Sequence, residues 1–328
     1  MPSFLKSQGF TLALIAAVIA ATLFPEFGAQ GGLLKSEFTT KALVALTFLI
    51  QGLSLPTTQI LKSAAKVKLH LYCQICNFVL APLIMLGALV LVGSHFHPGI
   101  YTGFIYLAVL PTTISSAIVM TNNADGDSSA ALFSTTLSNI LGVFATPILC
   151  SLLLNTGSKA EVGSLGPLIA KLSQLVLVPL IAGQILRRFV RDWANRSKGA
   201  FKKISNGAII FIVYAAFCNS VKNGVWSQVS QSSIIFAILL TILFLGVFSS
   251  LVWFASPVAA RTMPERIASF FCGSQKTLAA GVPMASVIFT SNGETNVGLI
   301  LLPIMCYHPT QLFLAGFIAP VFRKKVSV

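Results

Sequence analysis

One basic residue lies where water is scarce. Lys276 falls inside a long apolar run, eleven residues beyond Glu265. On a helix rising ~1.5 Å per residue that is roughly 16 Å, close to the mid-depth of a ~30 Å hydrocarbon layer. A charge there costs at least ~2.5–3.5 kcal/mol and sits too deep to reach the interface, so its default reading is functional. A lysine there favours an anionic partner. The plainer reading is a lysine that pairs with a helix C-terminus or a buried acid to hold a bundle. No acidic residue falls at comparable depth, which weakens the second half of that reading.

A second constellation is Thr112, Thr113, Ser115 and Ser116 directly after Pro111. Proline removes a backbone hydrogen bond and hydroxyls offer replacements, so the run marks an interrupted helix. Such a break presents N–H groups to an anion and carbonyls to a cation, although single Ser and Thr residues also serve close helix packing. Ser134, Thr135, Thr136, Ser138 and Asn139 form a further polar stripe in the next apolar segment. Asn139 suits packing and ion ligation equally. His308, between Tyr307 and Pro309, reads as a satisfied buried histidine or a cavity-lining one, while His95 and His97 fall in a loop with no evident chemistry. These residues make the candidate solute site Lys276, Thr112, Thr113, Ser115, Ser116 and His308.

The elements that must carry them are apolar. The chain has 328 residues, 55% hydrophobic and only 9% charged, with a mean hydropathy of +0.86. A soluble domain carries about a quarter charged residues, so this chain cannot face water all round. Apolar segments run over roughly 10–24, 42–61, 68–93, 99–122, 128–154, 164–190, 203–221, 231–256, 264–289 and 295–321. Continuous runs without alternation predict helices rather than a barrel. Lys6 followed by the first run also fits a signal peptide; in a multi-span chain it reads as the first helix.

Charge orients the bundle. With the N-terminus inside, the inner loops hold Lys6, Lys62, Lys66, Lys68, Arg187, Arg188, Arg191, Arg196, Lys198, Lys202, Lys203, Arg261, Arg266, Arg323, Lys324 and Lys325. The outer loops hold Lys35, Lys41, Lys159, Lys171 and Lys222. Sixteen against five follows the positive-inside rule and predicts a multi-pass protein of the cell (inner) membrane with both termini cytoplasmic. Placed in short loops between apolar runs, the net charge of +14 points to membrane lipid and not to nucleic acid. The loop over 187–203 could recruit anionic lipid, but its basic residues read first as topology determinants.

Ten helices divide into two sets of five, the second inverted relative to the first. The fourth and ninth then correspond, and each is the most polar-interrupted of its half. One carries the hydroxyl run after Pro111; the other carries Gly273, Ser274, Gln275, Lys276 and Thr277. Each precedes a turn of amide, glycine and acid, with Asn122, Asn123, Gly126 and Asp127 in one and Asn292, Gly293, Glu294 and Asn296 in the other. Interrupted helices at matching places are the best sequence pointer to a transporter's binding site. Nothing supports catalysis: there is no phosphate-cradling glycine loop, no metalloprotease histidine pair and no serine–histidine–acid set, so no cofactor is expected. Cys73 and Cys76 have no second pair or clustered histidines, and the six cysteines read as small apolar residues.

From about residue 10 to 322 this pattern resembles the bile acid:sodium symporter family, and within it the YfeH-type, SBF-like branch. The resemblance implies an all-α polytopic fold of ten transmembrane helices, arranged as a panel and a core domain with broken helices four and nine crossing. It also implies symport of a small organic anion with sodium. Aligned on Gly273 and Gln275, the family's glutamate falls on Phe271 and its asparagine on Lys276. The family's glutamine before the third-helix proline falls on Asn77, ahead of Pro82, and a hydroxyl ligand falls on Thr135. The sodium set implied by the resemblance is therefore Asn77, Phe271, Cys272, Ser274, Gln275 and Thr135, with Lys276 one step away as a fixed positive charge. Alternatives from other classes are a membrane regulator that moves no solute and a proton-coupled carrier that titrates Lys276.

Overall fold

The computed structural model describes residues 2–54, 64–157, 173–289 and 297–326. All regular structure among them is helical. We label the main helices α1 (Pro2–Leu23), α2 (Ser36–Ser54), α3 (Val67–Ile75 continued through Cys76–Leu80 into Ala81–Val92), α4 (Pro98–Val109), α5 (Ser115–Asn123), α6 (Ser128–Gly157), α7 (Val178–Phe189), α8 (Lys198–Lys222), α9 (Gln231–Ala255), α10 (Met263–Ser274), α11 (Leu278–Ile288) and α12 (Val297–Val326). Among the described residues, five stretches are long and apolar enough to cross a membrane: Val67–His95, Ser128–Leu154, Lys198–Lys222, Gln231–Val258 and Val297–Val326. The protein is thus an all-helical, multi-pass membrane protein. The turn at 291–296 and Lys62, Lys159 and Lys171 of the charge pattern lie outside the described residues.

The chain folds into two compact units, each drawn from three separate stretches. The first collects residues 1–55, 161–230 and 279–301. Its helices α2 and α7 meet at two glycines. A Cβ on Gly52 would lie 2.2 Å from the Leu180 carbonyl oxygen, and one on Gly183 would lie 2.2 Å from that of Leu49. This is close helix packing by small residues, as apolar surroundings favour. At the end of the same pair, Arg187 donates to the Leu53 carbonyl. Helix α8 is tied to the segment after α1 by Tyr214 Oη donating to Phe24 O at 2.8 Å.

The second unit collects 56–160, 231–278 and 302–328 and contains every candidate site residue. Its aromatic cluster stacks Trp253 on Phe322 at 4.2 Å, with Phe270 edge-on to both. Local sequence sets the helix ends. His97 caps α4 by accepting from Gly99 N, with Pro98 in the first turn; Thr262 and Glu265 form a reciprocal capping box on α10. Leu110, forced from helical geometry by the following proline, has ψ 146° and stops α4. Gln275, with ψ 152°, stops α10. Lys276 therefore sits in a break between α10 and α11, not on a continuous helix as its distance from Glu265 suggests. The fourth and ninth apolar segments are each two short helices, which is why neither appears among the long spans.

Candidate functional site

Both breaks expose backbone groups in a buried setting, and nearly every carbonyl in the first has a named partner. Ala108 O and Leu110 O each accept from Lys276 Nζ at 2.8 Å. Val109 O accepts from Thr146 Oγ1 at 2.9 Å, and Thr112 O accepts from Asn139 Nδ2 at 2.8 Å. Pro111 O accepts from Thr277 N at 3.0 Å, a backbone bond that joins the two breaks directly. Helix α6 supplies Asn139 and Thr146, and also Ser138, whose hydroxyl accepts from Thr112 N at 3.2 Å. It passes close at Gly142, where a Cβ would lie 2.6 Å from the Pro111 ring. A buried carbonyl left without a donor costs ~1–3 kcal/mol, so this set of partners holds a break that would otherwise be expensive.

The second break is held from α12. Gln311 meets the backbone of Lys276 on both sides, Oε1 accepting from Lys276 N at 2.7 Å and Nε2 donating to Lys276 O at 2.8 Å. Tyr307 Oη donates to Ser274 O at 2.7 Å. Residues 307, 308 and 311 share one face of α12, and Gln311 Nε2 also lies 2.8 Å from His308 Nδ1. His308 is thus a satisfied buried histidine, one residue removed from Lys276.

The Lys276 side chain is fully buried. Besides Ala108 and Leu110, its Nζ donates to Asn77 O at 2.9 Å, and it lies 5.6 Å from the centre of the Phe248 ring. Three acceptors match the three hydrogens of an ammonium. All three carbonyls have lost their helical donors for a reason visible in the chain. At Cys76–Leu80 helix α3 widens to a π-turn, in which Ala81 N reaches Cys76 O. The next donor in that register would come from residue 82, but Pro82 has none, so Asn77 O is left for the lysine. Thr112 N, the helical donor for Ala108 O, turns instead to the Ser138 hydroxyl, and Leu110 is already extended beyond the end of α4, so its carbonyl has no helical donor.

The other predicted residues fall around this point. Ser116 Oγ donates to Gln275 Oε1 at 2.8 Å and lies 3.1 Å from Thr113 Oγ1. Asn77 Nδ2 donates to Cys73 O and Cys272 O at 2.8 and 2.9 Å, linking α3 to α10. Thr135 Oγ1 donates along its own helix to Ala131 O at 2.8 Å, and its carbonyl accepts from Asn139. The Phe271 ring belongs to the aromatic cluster with Phe270 and Phe322. Ser115 is exposed at the start of α5. Four buried polar atoms near these residues have no partner among the described residues: Asn77 Oδ1, Gln74 Oε1, the Thr112 hydroxyl and Gln275 Nε2. Sequence reasoning missed Gln311, Tyr307 and Thr146. Gln311 had a signal, since a polar amide in the last apolar run one turn from Tyr307 and His308 marks a facing side.

At the end of this unit nearest the first turns of α3 and α10, Lys66 pairs with Asp127 at 2.7 Å and Glu265 at 2.6 Å. Burial opposes charge on Asp127, but the hydrogen bond and charge of Lys66 outweigh it and hold the carboxyl below its ordinary range. Burial likewise works against the Lys66 charge, and the two carboxylates reverse it, leaving its pKa raised.

An all-helical membrane bundle with two broken helices joined at their breaks is the build of a secondary transporter. The chain belongs to the SBF-like CPA transporter family, whose description matches residues 8–324, within the bile acid:sodium symporter type. It is 34% identical over 324 residues to an uncharacterised protein of Pseudomonas aeruginosa, covering 99% of this chain and 95% of the relative. A putative symporter of Escherichia coli, YfeH, is 32% identical, with 97% and 93% covered. Sodium/bile acid cotransporter 7-B of Xenopus laevis is 32% identical, with 97% and 92% covered. The protein is a membrane transporter and not an enzyme.

Proposed function

We propose that this protein carries a small anionic organic solute by alternating access at the crossing of its two breaks, in symport with sodium. One observation carries the anion: the polarity of the crossing. Its carbonyls are occupied by protein donors, whereas Gln275 Nε2 and the Thr112 hydroxyl are buried without a partner among the described residues. The first-turn N–H groups of α5, beside exposed Ser115 and half-buried Ser116, add donors of the kind that favour negative charge. A site with spare donors and a nearby fixed ammonium suits a carboxylate or sulfonate. Solute residues on this reading are Thr112, Thr113, Ser115, Ser116 and Gln275, with Lys276 and His308 behind them.

Sodium enters from the printed name of the frog relative and from Asn77 Oδ1, a buried acceptor awaiting a donor or a cation. The carbonyls of Phe271, Cys272 and Ser274, with Gln275 and Thr135, complete the proposed set; Cys272 O and Ser274 O each accept one protein donor and keep a second lone pair for the ion. We read the ten apolar segments as two inverted five-helix repeats in the inner membrane, both termini cytoplasmic, on the charge bias between loops. A carrier that titrates Lys276 is less well supported, since a neutral amine would leave three carbonyls sharing two N–H groups.

Uptake of labelled bile acid and smaller organic anions into proteoliposomes tests the reading. Accumulation driven by an inward sodium gradient, and lost when choline replaces sodium, is the expected result. Accumulation driven only by a pH gradient establishes the proton-coupled carrier instead. Binding without accumulation under either gradient establishes the regulator.

A further inference from the structure

We infer that the ammonium of Lys276 is a cation built into the chain, occupying a monovalent-cation seat formed by the carbonyl oxygens of Asn77, Ala108 and Leu110. The inference rests on the transporter reading only for its bearing on coupling; the seat itself stands on geometry. The three oxygens lie 2.8–2.9 Å from one nitrogen, within the range of N–H···O bonds. They come from two backbone segments, the π-turn of α3 and the end of α4, and two prolines keep them open: Pro82 removes the donor that would face Asn77 O, and Pro111 prevents α4 from continuing past Leu110. Backbone carbonyls converging in a buried setting are how proteins coordinate a bare monovalent ion. Here the ligand arrives on a tether, and no carboxylate takes part among the described residues. Full burial of Nζ also removes it from direct contact with a solute in this conformation, so its charge acts by holding the crossing and by its field.

For a carrier this has a consequence for stoichiometry. A positive charge that a free ion would bring and release with each cycle is permanent, so this seat adds no ion to the coupling. Any sodium dependence must arise elsewhere, at the acceptors around Asn77 Oδ1.

The test deletes the tethered cation and supplies a free one. Lys276→Ala removes three carbons and the nitrogen, the heavy atoms of propylammonium. Thermal unfolding of the detergent-purified variant is followed, without any solute, in ethylammonium, propylammonium, ammonium, sodium, potassium or tetramethylammonium chloride at equal ionic strength. The expected result is a midpoint lowered on the order of 10 °C and largely restored by primary ammonium ions, with no effect from tetramethylammonium, which has no N–H to donate. Restoration by sodium or potassium also supports the seat and shows that it accepts a bare ion. Equal effects of all six salts, or none, overturn the inference. If Lys276→Ala unfolds on extraction, it is solubilised with propylammonium present; recovery only then supports the seat. Lys276→Met fills the space without a charge, and wild-type stability of that variant overturns it too. Because no solute is present, failure here leaves the uptake result untouched, and failed uptake leaves the seat standing.

Discussion

The two breaks solve the same problem with different divisions of labour. At the first, between α4 and α5, the exposed carbonyls are shared among Asn139, Thr146, the Thr277 amide and Lys276, each with its own acceptor. At the second, between α10 and α11, Gln311 alone handles both backbone groups of Lys276. Local chemistry breaks the first, because Pro111 forbids the helix before it. No proline stands at 275–277, so the second break depends on side chains of α12 competing for the backbone, Gln311 at Lys276 and Tyr307 at Ser274 O. A break encoded by proline tolerates the loss of one partner. A break whose central residue has both backbone groups on one amide does not.

That contrast can be broken by experiment. Gln311→Leu should have the largest effect, since it strands a buried N–H and a buried carbonyl together. We expect about 2–6 kcal/mol of destabilisation from two unsatisfied groups, read as a fall in unfolding midpoint with loss of uptake. Asn139→Ala strands only Thr112 O on the other side and should cost about 1–3 kcal/mol. Thr146→Val keeps the shape and strands Val109 O, which should also cost about 1–3 kcal/mol. If the first break is shared as described, the Asn139 and Thr146 losses add within a few tenths of a kcal/mol, whereas Gln311→Leu with Lys276→Ala is strongly non-additive. Additivity of the second pair, or a Gln311→Leu loss no larger than that of Thr146→Val, removes the distinction.

Lys66→Met should have the smallest effect at neutral pH, about 1 kcal/mol, because Lys66 is partly exposed. Its signature is in the pH profile. Asp127 titrates below its ordinary 3.8 when paired, so its contribution is complete above that value and lost as pH falls through the lowered one. Lys66 titrates above its ordinary 10.5; its contribution is complete below that value and lost as pH rises through the raised one. Lys66→Met should flatten both limbs of midpoint against pH, and an unchanged profile would show that the triad contributes nothing.

How far the sequence exposed this design follows from the same contrast. Pro111 and its hydroxyls marked the first break because proline acts within its own helix. Lys276 was conspicuous because a charge inside a long apolar run is rare; it is fully buried, but at a break and not on the continuous helix that its spacing from Glu265 suggests. What it touches was hidden. Its three partners are backbone carbonyls, which every residue carries, and only their orphaning by Pro82 and Pro111 leaves a trace in side-chain identity. The second break was legible as polarity but not as geometry, since Gln311 acts from another helix. The predicted sodium positions Asn77, Cys272, Ser274 and Gln275 come together, yet their first partners are other protein groups that the alignment on Gly273 could not show.

The order of the carbonyl seat along the chain bears on how the protein is made. Asn77, Ala108 and Leu110 precede Lys276 by 199, 168 and 166 residues. During synthesis the residues of α3 and α4 are therefore made well before the lysine. A segment carrying a charge at its centre enters the bilayer poorly on its own. This one emerges after the residues that supply its acceptors have been synthesised, so the chain order makes those acceptors available to the lysine as its segment inserts.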